Sequence, residues 1–459
     1  MKTESFELES NKQNVFDTLI DDRIGRNESI WNFAQMCDSI DDHCSIALNG
    51  NWGSGKTFFV KQVGMVLNAY NEWSSELSES EKESIRKAFS KNEKRDKDFS
   101  GFQPQVCVYY DAWSADNDMD PILSLVYEIL KDTGSGYTFN LDESLEDKTL
   151  ELINLITNRD VKGFIEKCEG KKVLEVIAEQ RDLHTLVNDF LASLLPEEGN
   201  RLIVFIDELD RCKPVFAVQL LERIKHYFTN DRVTFVFSVN MAELQHTVKC
   251  VYGVGFDAYS YLDRFFDLVF ELPKIDMEYY LQSIGLENTS WVYESVCKKV
   301  VDHFGFEMRE ACKYIRVTKI AAGKIVHKHN TTFDIDEMFV FLVIVPILFG
   351  LKIYNIDEYN RFINGIYPDP LIRIMDNPDI AISACNSLLE NDESYNESQN
   401  PSIEVVSLES KLLKAYEALF TSKGQDRWGN TNVGKCVFGN DTRDMMKSII
   451  SLLSHYAEY

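Results

Sequence analysis

The sequence predicts an α/β protein in which a mainly parallel sheet is covered by helices on both faces and is followed by a helical C-terminal domain. Two observations lead to this prediction. Short apolar runs typical of buried strands alternate with helical patterns up to about residue 275. Beyond that point, segments with helical spacing predominate.

Length and composition indicate a globular protein of two or three domains. The chain has 459 residues, more than one compact domain usually holds, and 44% of them are hydrophobic. We predict domains at 1–275 and 276–459, with charged or helical insertions at about 71–104 and 139–200. The net charge of −26 argues against sequence-independent binding to nucleic acid or acidic membranes. Ten cysteines without a C-x-x-C pair indicate neither a zinc site nor a disulfide framework.

Two segments bear on export and on membranes. The N-terminus does not combine a basic region, an apolar run and a small-residue cleavage site, so we do not expect a signal peptide. The longest uncharged apolar run, Met338–Leu351, is shorter than the roughly 20 residues that a spanning helix needs, and it contains Pro346. We therefore expect a buried core helix there, no membrane span and a cytoplasmic protein.

The first predicted strand leads directly into a glycine-rich loop. Residues 27–40 have helical spacing with Asn27 as a possible N-cap, and the apolar run CSIALN follows. After the loop, KTFFVKQVGMVLNAY has the pattern of a helix. Strand, glycine-rich loop and helix is the order that a phosphate-binding loop requires.

Three further strands are predicted along the chain. Residues 71–100 are a mixed-charge segment, interpreted as a solvated helical insertion or a partly ordered loop. The runs PQVCVYYDAW, RLIVFID and VTFVFSVN then alternate with helical patterns. We interpret Trp113, at the end of the first of these runs, as a core residue. Residues 133–137, TGSGY, are interpreted as a flexible connector.

Residues 50–57, GNWGSGKT, match the phosphate-loop pattern G-x-x-x-x-G-K-[ST] in full. The glycines let backbone N–H groups turn toward a phosphate, the lysine adds positive charge, and the threonine offers a hydroxyl to Mg²⁺. The tryptophan has no charge to offer, so we expect it to cover the mouth of the site or to pack against a neighbouring element. The predicted nucleotide-binding residues are Gly50, Asn51, Trp52, Gly53, Ser54, Gly55, Lys56, Thr57 and Phe58.

The run LIVFIDELD at 202–210 places carboxylates at the carboxyl end of a buried strand. Asp207 is predicted to hold Mg²⁺, and Glu208 to polarise the attacking water. Asp111, at the end of another strand, could reach the water shell of the metal. Together with the loop, these residues predict hydrolysis of a nucleoside triphosphate. No guanine-reading N/T-K-x-D segment follows, so ATP is preferred over GTP.

Four other residues are candidates for contacts with the nucleotide. Asn240 follows the fourth strand and is either a sensor of the γ-phosphate or a simple turn residue. Arg264 and Arg211 are candidates for the arginine that stabilises the transferred phosphoryl group, and Arg309 could read the nucleotide from the helical domain. For each arginine, an ordinary salt bridge is the alternative. If the arginine acts between subunits, activity requires oligomers.

These motifs, in this order, resemble the KAP family of P-loop NTPases. The resemblance rests on GNWGSGKT, YYDAW, IDELDRCKP, FSVNMAEL, YLDRFFDLVFELP and EMREACKYIR, and it covers about residues 20–320. It implies a three-layer P-loop NTPase core of the additional-strand, catalytic-glutamate type, related to the AAA+ and STAND ATPases. Glu208 and Asn240 stand where the family often has aspartate.

The resemblance also implies a biological role. Many bacterial KAP proteins act in phage exclusion or other defence, and many carry transmembrane helices in the core, whereas the charged insertions here favour a soluble subtype. We therefore expect a Mg²⁺-dependent ATPase that acts as a switch or assembly regulator in anti-phage defence, as a homo-oligomer with a separate effector protein. The alternatives are a nucleotide-gated scaffold with negligible turnover and an ATP-driven nucleic-acid motor, which the acidic composition disfavours.

Overall fold

The computed structural model divides into two compact units, Glu9–Asp276 and a unit that begins at Met277. It describes residues 9–96, 99–118, 120–136, 185–192, 195, 200–283, 286, 292–328, 334–376, 385, 401–421 and 423–454.

The first unit is built on a five-stranded parallel sheet with the strand order β2-β3-β4-β1-β5. The strands are β1 Cys44–Asn49, β2 Gln105–Asp111, β3 Arg201–Asp207, β4 Val233–Val239 and β5 Leu268–Glu271. The first four are predicted from the sequence. The fifth is not, because it is a four-residue edge strand whose exposed side chains break the pattern of a buried run. Strand β4 lies between β1 and β3, and it is the additional strand that the family resemblance implies.

Helices cover the sheet. They are α1 Lys12–Ile20, α2 Asn27–Asp38, α3 Lys56–Tyr70, α4 Glu79–Ala88, α5 Ser90–Arg95, α6 Pro121–Gly136, α7 Pro214–Tyr227, α8 Met241–Tyr252 and α9 Ala258–Leu262. Residues 185–192 are also helical. Arg26 occupies the N-cap position of α2, and Asn27 is its first helical residue, so the predicted cap is wrong by one position.

Helix α6 corrects a second prediction. It continues through Gly136, so the predicted flexible connector is wrong for residues 133–136, and Tyr137 lies outside the described residues. The buried Thr133 hydroxyl donates to the Ile129 carbonyl at 2.6 Å, which satisfies this polar group within the helix.

Each face of the sheet carries its own hydrophobic core. Leu202, Val204 and Ile206 of β3 pack with residues of α6 to α9. Ile203 and Phe205, which alternate with them, pack with residues of α1 to α4. All of β3 is buried, which explains its uninterrupted apolar run. The predicted sheet with helices on both faces is confirmed.

The mixed-charge segment after α3 is helical in α4 and α5, but it is not simply solvated. Phe89, Phe99 and Phe102 surround Trp31 of α2, with ring centroids 5.6, 4.8 and 5.1 Å from the indole. Aromatic rings at these distances contribute to the core beside α3. The second predicted insertion, 139–200, lies largely outside the described residues.

The second unit is predominantly helical, as predicted. Its helices are α10 Met277–Ser283, α11 Val292–Phe304, α12 Met308–Lys328, α13 Ile335–Phe339, α14 Val345–Tyr354, α15 Ile356–Ile363, α16 Asp369–Ile374, α17 Pro401–Phe420 and α18 Asn440–Ser454. An antiparallel hairpin of β6 Thr431–Val433 and β7 Cys436–Phe438 was not predicted. Its two-residue turn contains Gly434 at φ 59°, a conformation that such turns require.

The apolar run of this unit is a longer helix than the sequence suggested. Ile335–Tyr354 is continuous through α13, a π-helical turn at Val340–Ile344, and α14. Among the described residues it is the one helix long and apolar enough to cross a membrane, so the argument from length was wrong. However, 67% of its most apolar window is buried inside the protein, as expected of a core helix.

Candidate functional site

The loop between β1 and α3 has the backbone that close approach to a phosphate requires. Gly53 and Gly55 have φ angles of 83° and 88°, in the left-handed region that favours glycine. A Cβ atom added at Gly50 would lie 3.0 Å from Ser54 Oγ, which leaves little room for a side chain there. The loop ends at the N-terminus of α3, where free N–H groups and the helix dipole favour an anion.

Lys56 lies at the centre of this loop. Its side chain is buried, and Nζ donates to the carbonyl oxygens of Gly50 at 2.7 Å and Asn51 at 3.1 Å. Burial lowers the pKa of the Lys56 ammonium group, and the carboxylates of Asp210 and Asp207 oppose that shift. The Lys56 ammonium group therefore donates to neutral carbonyl groups. A phosphate oxygen can replace these carbonyl groups as the acceptor.

Asp207, Thr57 and Tyr109 form a compact group, here called the Asp207 cluster. Asp207 Oδ2 accepts from Thr57 Oγ1 at 2.6 Å and from the Tyr109 hydroxyl at 2.8 Å. Asp207 Oδ1 accepts from the Glu208 N–H at 3.0 Å. Burial raises the pKa of Tyr109, which keeps its hydroxyl protonated and able to donate. A carboxylate and a hydroxyl at this separation are hard oxygen donors, and they fit Mg²⁺.

The chain turns sharply after Asp207, through residues 208–211, here called the acidic turn. Glu208 has φ 59° and ψ 24°, a left-handed conformation that is uncommon for a residue with a side chain. Arg211 Nη1 lies 3.0 Å from Glu208 Oε2, and the Arg211 N–H donates to the Glu208 carbonyl at 3.0 Å. Burial raises the pKa of the Glu208 carboxyl group, and Arg211 opposes this shift.

A tryptophan on each side contacts the acidic turn. The Arg211 guanidinium group lies 5.5 Å from the ring centroid of Trp113, whose side chain is 51% exposed, so the prediction of a core residue is wrong. On the other side, Trp52 Nε1 donates to Asp210 Oδ2 at 2.5 Å. The tryptophan of the phosphate loop thus reaches the turn that follows β3.

The remaining predicted residues lie in different settings. The Asn240 side chain accepts from the N–H groups of Ala242 and Glu243, so it caps α8, which favours the structural alternative. The Phe58 side chain is buried in the core, which leaves its backbone to face a ligand. Asp111 pairs in register with Asp207 on the neighbouring strand, and its carboxylate accepts from the Ser114 N–H at 3.0 Å.

The two other arginine candidates are exposed. Arg264 follows α9, and it has no ion-pair partner in the part of the chain that the structure describes. Arg309 lies in α12 of the second unit. Arg211, by contrast, forms an ion pair with Glu208 within the acidic turn.

The sequence does not single out three residues that contact predicted site residues, namely Tyr109, Asp210 and Arg26, or a fourth, Lys61, that contacts Tyr109. Tyr109 and Asp210 both belong to runs that the sequence singles out, but nothing in those runs indicates their individual roles. Lys61 lies one turn beyond Thr57, with Nζ 4.6 Å from the Tyr109 ring centroid. Arg26 is buried, and it donates to the carbonyl oxygens of Ser54, at 2.9 Å, and of Pro273. No local pattern signals that contact.

A comparison with protein families identifies the domain that contains the phosphate loop. A family model described as the KAP family P-loop domain matches residues 26–289. The chain belongs to the KAP family. It therefore carries a P-loop NTPase domain that binds nucleotide, and the KAP match includes both the phosphate loop and the acidic turn. A comparison with curated proteins gives no match to this KAP chain.

Several solved structures bear a distant likeness to this KAP protein. One of them is titled "Structure of C. elegans PCH-2", and the alignment covers 88% of this chain and 72% of that chain at 11% identity and a TM-score of 0.21. A likeness at this level carries no argument about function.

Proposed function

We propose that this protein is a Mg²⁺-dependent ATPase whose hydrolysis cycle acts as a molecular switch or assembly regulator. The arrangement of side chains at the carboxyl end of β3 supports this proposal most directly. Asp207 Oδ2 lies 2.6 Å from Thr57 Oγ1 of the phosphate loop, and the next residue is a carboxylate whose pKa burial raises. The lack of a guanine-reading segment in the sequence favours ATP.

The first task is to bind the triphosphate. The N–H groups of the loop and the Lys56 ammonium group would bind its phosphate oxygens. Thr57 and Asp207 would hold Mg²⁺, either directly or through water, while Tyr109 keeps the carboxylate oriented. The bound ion would neutralise charge on the β and γ oxygens.

The second task is to activate water. Glu208 would orient a water molecule and accept its proton. The water oxygen forms a bond to the γ phosphorus while the bond from that phosphorus to the bridging oxygen breaks, which gives ADP and inorganic phosphate. Arg264 is a better candidate than Arg211 for an arginine supplied to the γ-phosphate of a neighbouring subunit, because Arg211 is bonded to Glu208. We therefore propose a homo-oligomer.

Phosphate release by the wild type and two variants tests the ATPase. Lys56→Ala should lose nucleotide binding. Glu208→Gln should bind ATP but turn over about 10² to 10⁴ times more slowly. Glu28→Gln makes the same change at an exposed carboxylate, whose side chain is 70% accessible, and should match the wild type. A wild type that releases no phosphate from ATP would falsify the enzymatic proposal.

Complementation tests the arginine and the oligomer together. Arg264→Ala keeps its own phosphate loop, and Lys56→Ala keeps its own arginine. If Arg264 acts in trans, mixing the two inactive variants should restore part of the ATPase activity. A mixture that stays as inactive as its components contradicts an arginine supplied between subunits.

One observation favours the second candidate, a nucleotide-gated scaffold. The Glu208 carboxylate is already paired with Arg211 at 3.0 Å, and this ion pair opposes the increase that burial gives to the pKa of Glu208. The ion pair therefore occupies a carboxylate oxygen that would otherwise be free to orient water. Tight binding of ATP without phosphate release, together with a change in assembly, would select the scaffold.

We further propose a role in bacterial anti-phage defence, in the cytoplasm, with a separate effector protein. The support for this role is membership of the KAP family. Cells that carry the gene with its neighbouring genes should plate phage less efficiently than cells that carry the Lys56→Ala version. Equal plaque counts across a panel of phages would contradict the role in defence without touching the ATPase proposal.

A further inference from the structure

Asp210 is a buried carboxylate that depends on the phosphate loop for its hydrogen bond. The residue is 6% exposed, and Oδ2 accepts from Trp52 Nε1 at 2.5 Å. The second oxygen, Oδ1, is buried and accepts no hydrogen bond within the described part of the chain. A buried carboxylate is strongly disfavoured without donors, so the indole N–H has a large influence on where Asp210 lies.

Asp210 and Glu208 move together because a single short turn holds both. Leu209–Arg211 form one 3₁₀ turn, closed by bonds from the Arg211 N–H to the Glu208 carbonyl and from the Cys212 N–H to the Leu209 carbonyl. The left-handed backbone of Glu208 is not one that a free chain prefers, so its surroundings must maintain it. A contact that fixes Asp210 therefore also restrains the backbone from which the Glu208 side chain extends.

We propose that Asp210 is a positioning residue, which Trp52 holds so that Glu208 is set toward the phosphate loop. This inference rests on the proposed ATPase function. The positioning acts through the hydrogen bond, whereas the charge of Asp210 acts separately on the Lys56 ammonium group. It also gives the tryptophan of the loop a specific task, which is to tie the nucleotide-binding segment to the turn that activates water.

Three variants separate the hydrogen bond from the charge and from the ring. Trp52→Phe keeps an aromatic ring and removes the donor. Asp210→Ala removes the acceptor, whereas Asp210→Asn keeps an acceptor oxygen and removes the charge. Trp428→Phe, at a tryptophan that is 82% exposed in the second unit, is the matched control for a loss of indole.

Steady-state kinetics give the first readout. Trp52→Phe and Asp210→Ala should each lower kcat about tenfold, because a small misplacement of the base slows the reaction, while the affinity for ATP stays within about twofold. Asp210→Asn keeps the acceptor and should therefore be faster than Asp210→Ala, and the double variant Trp52→Phe with Asp210→Ala should be no slower than either single variant. If Asp210→Asn is as slow as Asp210→Ala, or if Trp52→Phe matches the wild type, the inference is wrong while the ATPase proposal stands.

Hydrogen exchange gives a readout that does not depend on turnover. The backbone N–H groups of residues 208–212 should exchange faster in Trp52→Phe and in Asp210→Ala than in the wild type, and Asp210→Asn should restore slow exchange. If the wild type has no ATPase activity, the proposed function is wrong. Hydrogen exchange still tests whether the hydrogen bond between Trp52 and Asp210 holds the turn. Unchanged exchange in the conservatively altered Trp52→Phe variant overturns the positioning role.

Discussion

Asp207 and Glu208 are neighbours in the chain, but the structure holds them in opposite ways. Asp207 ends a regular strand, is 1% exposed, and accepts hydrogen bonds from Thr57, Tyr109 and the Glu208 N–H. Glu208 has left the strand with a left-handed backbone, and its partly exposed carboxylate meets Arg211. The sheet and the helix beside it therefore fix the Asp207 cluster, whereas side chains from separate segments fix the acidic turn.

The two halves of the site should therefore respond differently to a ligand or to a substitution. The geometry of the Asp207 cluster follows from strands β2 and β3, which are paired along their whole length. The geometry of the acidic turn depends on contacts that a ligand or a single substitution can break. A strained backbone that is held by surrounding contacts is common at active sites and in switch regions.

Asp207→Ala should give the largest effect. It removes the predicted metal ligand, and it leaves the Thr57 and Tyr109 hydroxyls without their acceptor, so we expect turnover to fall about 10³-fold. A Mg²⁺ titration of nucleotide binding measures the loss directly. Asp444→Ala, at a carboxylate of the second unit whose side chain is 71% accessible, is the control and should behave like the wild type. Equal losses in the two variants would mean that the metal ligand is wrongly assigned.

Arg211→Ala should give the next largest effect. Without the guanidinium group, the Glu208 carboxylate loses a partner 3.0 Å away, and we expect kcat to fall about tenfold with unchanged nucleotide affinity. Arg211→Lys should fall between this variant and the wild type, because lysine keeps the charge without the planar fork. Faster turnover in Arg211→Ala would show that the ion pair restrains Glu208, as the scaffold alternative requires.

The strain at Glu208 can be measured with two substitutions that both remove the carboxylate. Glycine accepts a left-handed backbone and alanine does not, so Glu208→Gly should be more stable to urea than Glu208→Ala by about 1 kcal/mol. Equal free energies of unfolding would contradict a strained turn, and the contrast with Asp207 would then be lost.

Tyr109→Phe should have the smallest effect. The change removes one of the donors to Asp207, and Thr57 and the Glu208 N–H remain, so we expect about fivefold weaker Mg²⁺ binding. Tyr110→Phe makes the same change on the opposite face of the sheet and should leave Mg²⁺ binding unchanged. A loss as large as that of Asp207→Ala would show that the Asp207 cluster is less preformed than its contacts suggest.

The sequence predicts the parts of the fold and of the site that are local. The strand, loop and helix around GNWGSGKT are contiguous, and the buried run before Asp207 has the composition of a central strand. Both therefore follow from periodicity and residue type. Strand β5 is not predicted because its four largely exposed residues show no clear alternation of apolar and polar side chains. The prediction for Trp113 is wrong because an aromatic residue at the end of a strand can face either the core or the solvent.

The contacts that join separate segments could not be predicted in this way. Trp52 and Asp210 are 158 positions apart, and nothing in either run specifies the other. The Tyr109 contact with Asp207 depends on the register of β2 against β3, which single-sequence patterns do not fix. The left-handed backbone of Glu208 has no signal in its residue type, because glycine or asparagine would be expected there.

Arg26 links the phosphate loop to the end of its own unit through hydrogen bonds. One guanidinium group holds both the Ser54 carbonyl of the loop and the carbonyl of Pro273, four residues before Met277 opens the next compact unit along the chain. A ligand that shifts the Ser54 carbonyl therefore acts on the same guanidinium group that holds Pro273.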